Sequence, residues 1–487
     1  MTRRRTVLLC AVGLIAAGCT VGPDYKRPEL SVPSAYRGAD SVAPAAATPT
    51  FGDLAWASVF PDPDLQALIR TALAQNYDLR VAASRILQAQ SQVTTARSLA
   101  LPSVDGSVNA PYNTYTGSDR PSPDSIFEPR AGFGVAWELD FWGRYRRGTE
   151  AAQAELLATE EARYAVMETL VADVGRAYLS LRALDLTLAI SRRTVDSRVQ
   201  SLDLVNARLE GGVAGILDVR QAETLLYTAT KTIPEIERQI EQTENFINVL
   251  LGQNPGPVKR GRPLEQQIAA PALPPGLPTE LLTRRPDIRL AEQQLVAANA
   301  QIGVAKALLY PQVTLSGFAG AANSTISGSS FGPYGVFSLL PAVTLPIFNA
   351  GRLQANVEFN EARAQELALL YQQTLQQALR EVSDALVDVR KRQEFRVQQD
   401  LLVRALEDAS EVAKLRYEGG VSSYLEVLDT ERQLFDAEVQ RVQAMRDESV
   451  SVVQLYKALG GGWKAAPVAN NAAAGDRIAG AAAAGRP

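Results

Sequence analysis

The chain has 487 residues, enough for more than one ordinary domain, and 49 Lys and Arg against 53 Asp and Glu give a net charge of −4. That balance excludes a strongly basic surface, and nucleic acid is not expected as a partner. Histidine is absent, which excludes His general bases, Ser-His-Asp triads and His metal ligands; the two cysteines, Cys10 and Cys19, both lie near the N-terminus. No catalytic constellation and no metal cofactor is expected, and the chain reads as something other than an enzyme.

Arg3, Arg4 and Arg5 precede a short apolar run, Thr6 to Ala17, and then Gly18 and Cys19. This reads as a signal peptide over residues 1–18, too short for a spanning helix. Its removal takes away three Arg and no acid and leaves a net charge of −7. Ala16-Ala17-Gly18-Cys19 resembles a bacterial lipobox, which makes Cys19 the candidate lipid-attachment residue. An ordinary cleavage site beside an incidental Cys is the alternative.

Residues 19–61 form an extended, Pro- and Ala-rich segment. Asp62-Pro63 suits an N-cap with Pro in the first turn, and residues 65–100, free of Gly and Pro, are predicted helical. Strict alternation follows at 103–110 and 130–141, the second strand carrying Phe133, Val135, Trp137, Leu139 and Phe141 on one side. Helices are predicted over 149–210 and 213–251, with a kink at Pro234. A linker, expected in an equatorial region, spans 253–278. The second half repeats the pattern: helix 287–309, strands 312–320 and 335–347, helices 352–418 and 421–459, then a low-complexity tail at 461–487.

The two halves are a duplication, repeat 1 over 62–252 and repeat 2 over 279–460. Asp78 and Asp287, and Pro102 and Pro311, are both 209 apart; Arg208-Leu209-Glu210-Gly211-Gly212-Val213 and Arg416-Tyr417-Glu418-Gly419-Gly420-Val421 are 208 apart. A helix of 62 residues is about 93 Å long, a length suited to a stalk or tube. Leu375, Leu379, Val382, Leu386 and Val389 form a coiled-coil-like stripe. A long solvated coiled coil without a duct has the same pattern.

Strands of this length, alternately apolar and polar, fit a transmembrane barrel, with Trp137, Phe141 and Trp142 as an interface girdle and loops 112–128 and 321–334 outside. A half-buried soluble sheet alternates in the same way. Four strands cannot close a barrel, and lipid does not tolerate an open edge. Three chains give twelve strands, the first count that leaves a water-filled lumen.

Gly18-Cys19-Thr20-Val21-Gly22-Pro23-Asp24-Tyr25, Arg285-Pro286-Asp287-Ile288 through Tyr310-Pro311, the Arg416-to-Gly420 turn and Leu455 through Trp463 together resemble the TolC-type outer-membrane efflux proteins, in the lipoprotein branch typified by NodT and OprM. The resemblance implies a mixed α and β membrane protein: a homotrimeric twelve-stranded β-barrel on a coiled-coil periplasmic tunnel. It implies residence in the outer membrane, anchoring in its lipid through Cys19, no cofactor besides that lipid, and a periplasmic adaptor and a proton-driven inner-membrane pump as partners. Drugs and other small toxic molecules would leave through the duct. An exit duct for protein secretion, of the type I kind, shares the fold; a periplasmic scaffold lipoprotein without a pore is the alternative from another class.

The two turns are candidate adaptor-docking tips, through Gly211, Gly212 and Val213 and through Gly419, Gly420 and Val421. Glycine there equally serves helix capping. The resemblance also implies a periplasmic gate, for which Asp429, Asp218 and Glu426 are the acidic candidates and Arg416, Tyr417 and Arg208 candidate partners holding it shut. Ser423 to Glu426 fits a capping box, so first-turn acids have an alternative role. Asp429 lies a turn deeper, beyond that explanation.

Overall fold

A computed structural model describes residues 20–37, 50–115, 124–267 and 276–461. The expected signal peptide at 1–18, Cys19 and Trp463 lie outside the described residues. The chain divides into two compact units, one comprising Met1–Leu30, Ser84–Glu161 and Arg289–Thr374, the other Ser31–Ala83, Ala162–Ile288 and Leu375–Pro487. The principal elements are α1 (Pro63–Gln75), α2 (Tyr77–Ser98), β1 (Ser103–Asn109), β2 (Tyr112–Tyr115), β3 (Asp124–Phe127), β4 (Arg130–Leu139), α3 (Arg144–Glu210), α4 (Ile216–Thr230), α5 (Thr232–Leu251), α6 (Pro286–Ala307), β5 (Gln312–Ile326), β6 (Ser329–Thr344), α7 (Arg352–Glu418) and α8 (Tyr424–Ala458). Among the described residues no helix is long and apolar enough to cross a membrane.

In the first unit β1, β4, β5 and β6 form an antiparallel sheet in that order. The expected loop at 112–128 contains two strands instead. β2 pairs with β3, and β3 joins β5 beyond the end of β4, with Ile126 opposite Ile326. Pro111 and Pro129 mark the changeover, their carbonyls accepting from the amides of Glu128 and Asn323. The second pair of strands also outruns its expected bounds, because residues 321–334 close as a tight hairpin with Ser327 and Gly328 at positive φ. Glycine is required at 132 and 320, where β4 and β5 touch: a Cβ on Gly132 would lie 2.5 Å from the Ala319 carbonyl oxygen, and the Phe318 ring covers both positions.

Residues 20–27 are fastened to the same unit. The Val21 amide donates to the Trp142 carbonyl at 3.0 Å, Asp24 pairs with Arg147 at 2.7 Å, and Arg27 grips Glu292 with two bonds of 2.6 and 2.7 Å. Gly22 crosses Gly303 so closely that a Cβ would meet its Cα at 2.5 Å. The stretch Val21-Gly22-Pro23-Asp24-Tyr25 is thus part of a strap.

The second unit is helical. The predicted helix 65–100 breaks at Asn76, whose side chain donates to the Leu250 carbonyl at 3.0 Å and accepts from the Leu79 amide at 3.1 Å. A buried Asn that caps α2 and reaches α5 outweighs continuity. The break between α4 and α5 falls at Lys231, ahead of Pro234, which sits in the first turn of α5 where a missing N–H is harmless. With Val442 in the corresponding place, α8 runs unbroken. Along α7, Leu375, Ala378, Val382 and Ala385 are the buried stripe, with Leu379, Leu386 and Val389 beside it. Arg285, of the Arg-Pro-Asp motif, is buried and binds Asp287 at 2.6 Å, Glu381 at 2.8 Å and the Ala458 carbonyl at 3.0 Å.

Candidate functional site at the two interhelical turns

Both turns close by the same rule. The Gly212 and Val213 amides donate to Leu209 and Arg208, and the Gly420 and Val421 amides to Tyr417 and Arg416, at 2.9–3.0 Å. This is the Schellman arrangement, and it needs a left-handed residue after the helix. Gly212 has φ 69° and Gly420 φ 73°, with open space around each, so backbone angle alone demands glycine there. Gly211 and Gly419 have no such demand.

Directly under the turns, Val205 of α3, Val219 and Ala222 of α4, Ala413 and Tyr417 of α7, and Tyr424 and Val427 of α8 form one buried cluster. Tyr417 and Tyr424 meet edge to face, ring centroids 5.2 Å apart. Burial raises the pKa of both phenols, and neither hydroxyl has a hydrogen-bond partner among the described residues. Arg208 donates to the carbonyls of Tyr417 at 3.0 Å and Glu418 at 3.3 Å and lies over the Tyr417 ring, 4.5 Å from its centroid. It caps the end of α7 from α3 and so ties the two repeats together. Arg416 pairs with Glu426 at 3.3 Å.

The acidic candidates differ in surroundings. Asp218 accepts from the Gly215 amide at 3.1 Å, a capping bond of the first turn of α4. Ser423 makes no such side-chain bond, so the expected capping box at 423–426 does not form; Glu426 turns to Arg416. Asp429 is half-buried and bonds Arg432 at 3.0 Å and Gln433 at 2.6 Å on its own helix. Arg432 escaped the sequence reading, although its i,i+3 spacing from Asp429 was visible.

The turns also expose apolar side chains. Val213, Ile216 and Leu217 at one, and Val421 and Leu425 at the other, are each more than half exposed. Ile216, Leu217 and Leu425 went unnoticed in the sequence, where an apolar residue in a helix reads first as core.

Four strands open at both sheet edges and two long helical hairpins define the protomer of an outer-membrane channel with a β-barrel and a helical tunnel. The chain belongs to the outer membrane efflux protein family, whose model matches residues 68–253 and 277–461, one stretch per repeat. It is 35% identical over 460 residues to the solvent efflux pump outer membrane protein SrpC of Pseudomonas putida, covering 92% of this chain and 97% of that one. It is 32% identical to the cation efflux system protein CusC of Escherichia coli, covering 93% and 98%. Among solved structures it resembles the outer-membrane channel OprN, with TM-score 0.84 at 31% identity over 92% of this chain and all of that one. It also resembles the open state of the Neisseria gonorrhoeae MtrE outer membrane channel, with TM-score 0.81 at 31% identity over 92% and 99%. The protein is an outer-membrane efflux duct.

Proposed function

We propose that the chain trimerises into the exit duct of a tripartite efflux pump, carrying drugs and other small toxic molecules from a periplasmic adaptor and a proton-driven inner-membrane pump to the exterior. It conducts and does not catalyse, and its one covalent addition is lipid on Cys19. The reading rests on the whole-length likeness to efflux-pump outer-membrane proteins, with both repeats matched. The relatives' named cargoes, solvents and cations, favour small solutes over secreted protein. Repeat 1 takes 62–252 and repeat 2 takes 279–460.

The two turns are the docking tips. Gly211, Gly212 and Val213, with Gly419, Gly420 and Val421, present small and exposed apolar groups to an adaptor's helical hairpin. Arg208, Arg416 and Tyr417 hold the periplasmic end shut, and Asp429, Asp218 and Glu426 give it a cation-attracting field. Purified protein in a planar bilayer tests the pore: stepwise conductance is expected, and a protein that inserts without conducting is a scaffold. Fatty-acid labelling tests the anchor: Cys19→Ser should abolish it, and undiminished label refutes the assignment.

A further inference from the structure

Strand pairing sorts the sheet of the first unit into two faces. Val104 stands opposite Val135, Val135 leads through Gly317 to Leu339, and Phe133 leads through Ala319 to Phe337. These five apolar side chains are exposed and share one face, the one a barrel turns to lipid. The opposite face, turned to the water path, carries Asp105, Gly134, Phe318 and Ser338 as one rung across β1, β4, β5 and β6. Along β4 this face consists of Gly132, Gly134 and Ala136, so a strip without side-chain bulk runs between β1 and β5.

Packing explains the glycine at 132 but not the one at 134. Gly132 is fixed by the Ala319 carbonyl and by the Phe318 ring, whose Cζ would lie 2.8 Å from a Cβ there. Gly134 meets no such demand. Its φ is not positive, and a Cβ would find the Asp105 carbonyl oxygen at 3.8 Å and the Gly317 carbonyl oxygen at 4.0 Å, ordinary contacts. Glycine weakens a strand, and inside one it marks a place that another group approaches closely. Asp105 and Phe318 flank Gly134 on strands about 10 Å apart across it. The Phe318 ring is partly exposed, and the Asp105 carboxylate is exposed and has no ion pair among the described residues. The charges that β4 itself puts on this face, Arg130 and Glu138, stand at either end of the strip and are taken by Glu128 and Arg144.

We infer that the trough at Gly134 binds an amphipathic organic cation, its ring lying over the glycine against Phe318 and its ammonium facing Asp105. The carboxylate selects the sign of the ligand, and the aromatic side chain supplies contact area and tolerates a cation beside it. An anion is repelled by Asp105, and a neutral arene leaves that charge unused. The bare backbone of Gly134 lets a flat ring settle between the two strands, which any larger residue would prevent. The inference rests on the channel reading and deepens it, naming ring-bearing organic cations as the cargo class that the barrel wall holds in passing.

The test is equilibrium dialysis of benzyltrimethylammonium against the purified full-length protein in lipid nanodiscs, with tetramethylammonium as the probe that lacks the ring. The parent should bind the benzyl compound about tenfold more tightly than tetramethylammonium, the size of one aromatic contact. Gly134→Val suits a strand and fills the trough, and Asp105→Asn keeps the shape while removing the charge. Each should weaken binding of the benzyl compound about tenfold. If Gly134→Val does not insert, Asp105→Asn and Phe318→Leu carry the test, the second bringing the two probes to equal affinity. A parent that conducts in a planar bilayer yet binds both probes alike overturns the inference alone. So does unchanged benzyl affinity in Asp105→Asn and the inserted companion variant. A parent that inserts without conducting overturns the channel reading and the inference with it.

Discussion

Arg208, at the end of one long helix, binds the last carbonyls of the other, with its guanidinium over the ring of Tyr417. A cation at a helix C-terminus satisfies carbonyls that have no intrahelical partner and interacts favourably with the helix dipole. The two turns are therefore fastened to each other as well as individually capped.

Arg208→Ala should loosen that fastening. A hydrogen bond from a charged donor contributes about 1.5–3 kcal/mol, and part of that returns as water reaches the carbonyls. A loss of about 1.4 kcal/mol would raise the opening of the turn about tenfold. Hydrogen exchange of the Gly419, Gly420 and Val421 amides reads it directly, with faster exchange expected there. Channel conductance should rise in parallel if the tip is the gate. Unchanged exchange at these amides would show that the Schellman bonds suffice.

Asp429 is a weaker field source than its position suggests, because Arg432 neutralises it from 3.0 Å. The pair is half-exposed, so its contribution to stability is small. If Asp429 lines the constriction, Asp429→Asn should lower cation selectivity in bilayers. Arg432→Gln should raise it by more, since it frees the carboxylate from its ion pair while Gln433 still holds it. If both variants keep the parent reversal potential in a salt gradient, neither residue faces the constriction.

The sequence disclosed the architecture where a single residue type carries the constraint. Gly212 and Gly420 were legible because only glycine takes a left-handed angle without strain. The span of α7 was legible because nothing between Arg352 and Glu418 breaks a helix. What stayed hidden depends on partners distant in the chain. Asn76 breaks a helix because the Leu250 carbonyl is there to receive it. β3 is a strand because β5 extends far enough to pair with it, and β2 pairs in turn with β3. Tyr417, a candidate for holding the tip shut, also packs in the core beneath the turns, a placement fixed by Tyr424 and Val427, which lie close in sequence to the turn but on the next helix.

Asp62 illustrates the same limit. Its capping bond to the Asp64 amide was foreseeable, but Tyr178, the Arg262 amide and Gln267 also donate to it, at 3.0, 2.9 and 2.7 Å. Burial pushes the carboxyl up, and the bonds from Gln267, Asp64, Tyr178 and Arg262 outweigh it and hold it below the ordinary aspartate value. The stability this provides is present above the unfolded pKa and is lost as pH falls through the folded one. Asp62→Ala strands at least two buried donors at about 1–3 kcal/mol each, so a loss of about 3 kcal/mol is expected. Proteolysis between 253 and 267 should accelerate, since Asp62 pins that linker. A variant as resistant as the parent there would show that the linker is held by other contacts.

Glu168 gives the helical unit a pH dependence of the opposite sense. Burial pushes its carboxyl up to about 8; Arg285 and Lys457 pull it down, while Asp287 and Glu381 push it further up. Arg285 cannot compensate fully because its fork is already taken by Asp287, Glu381 and the Ala458 carbonyl. The folded pKa lies above the unfolded value of 4.5, so the folded chain holds a proton that the unfolded chain has released across that window. This contribution is complete below about 4.5 and is lost as pH rises toward 8, at about 1.4 kcal/mol per unit. Glu168→Gln mimics the protonated carboxyl and should remove that descending limb. Thermal unfolding of purified protein at pH 5, 7 and 8.5 reads the effect: variant and parent should agree at pH 5, and the variant should melt higher at pH 8.5. Because the comparison is a difference between two proteins at each pH, titration of other groups cancels. Melting curves that stay parallel from pH 5 to 8.5 would show that Glu168 is ionised in the folded state and that water or Arg285 reaches it after all.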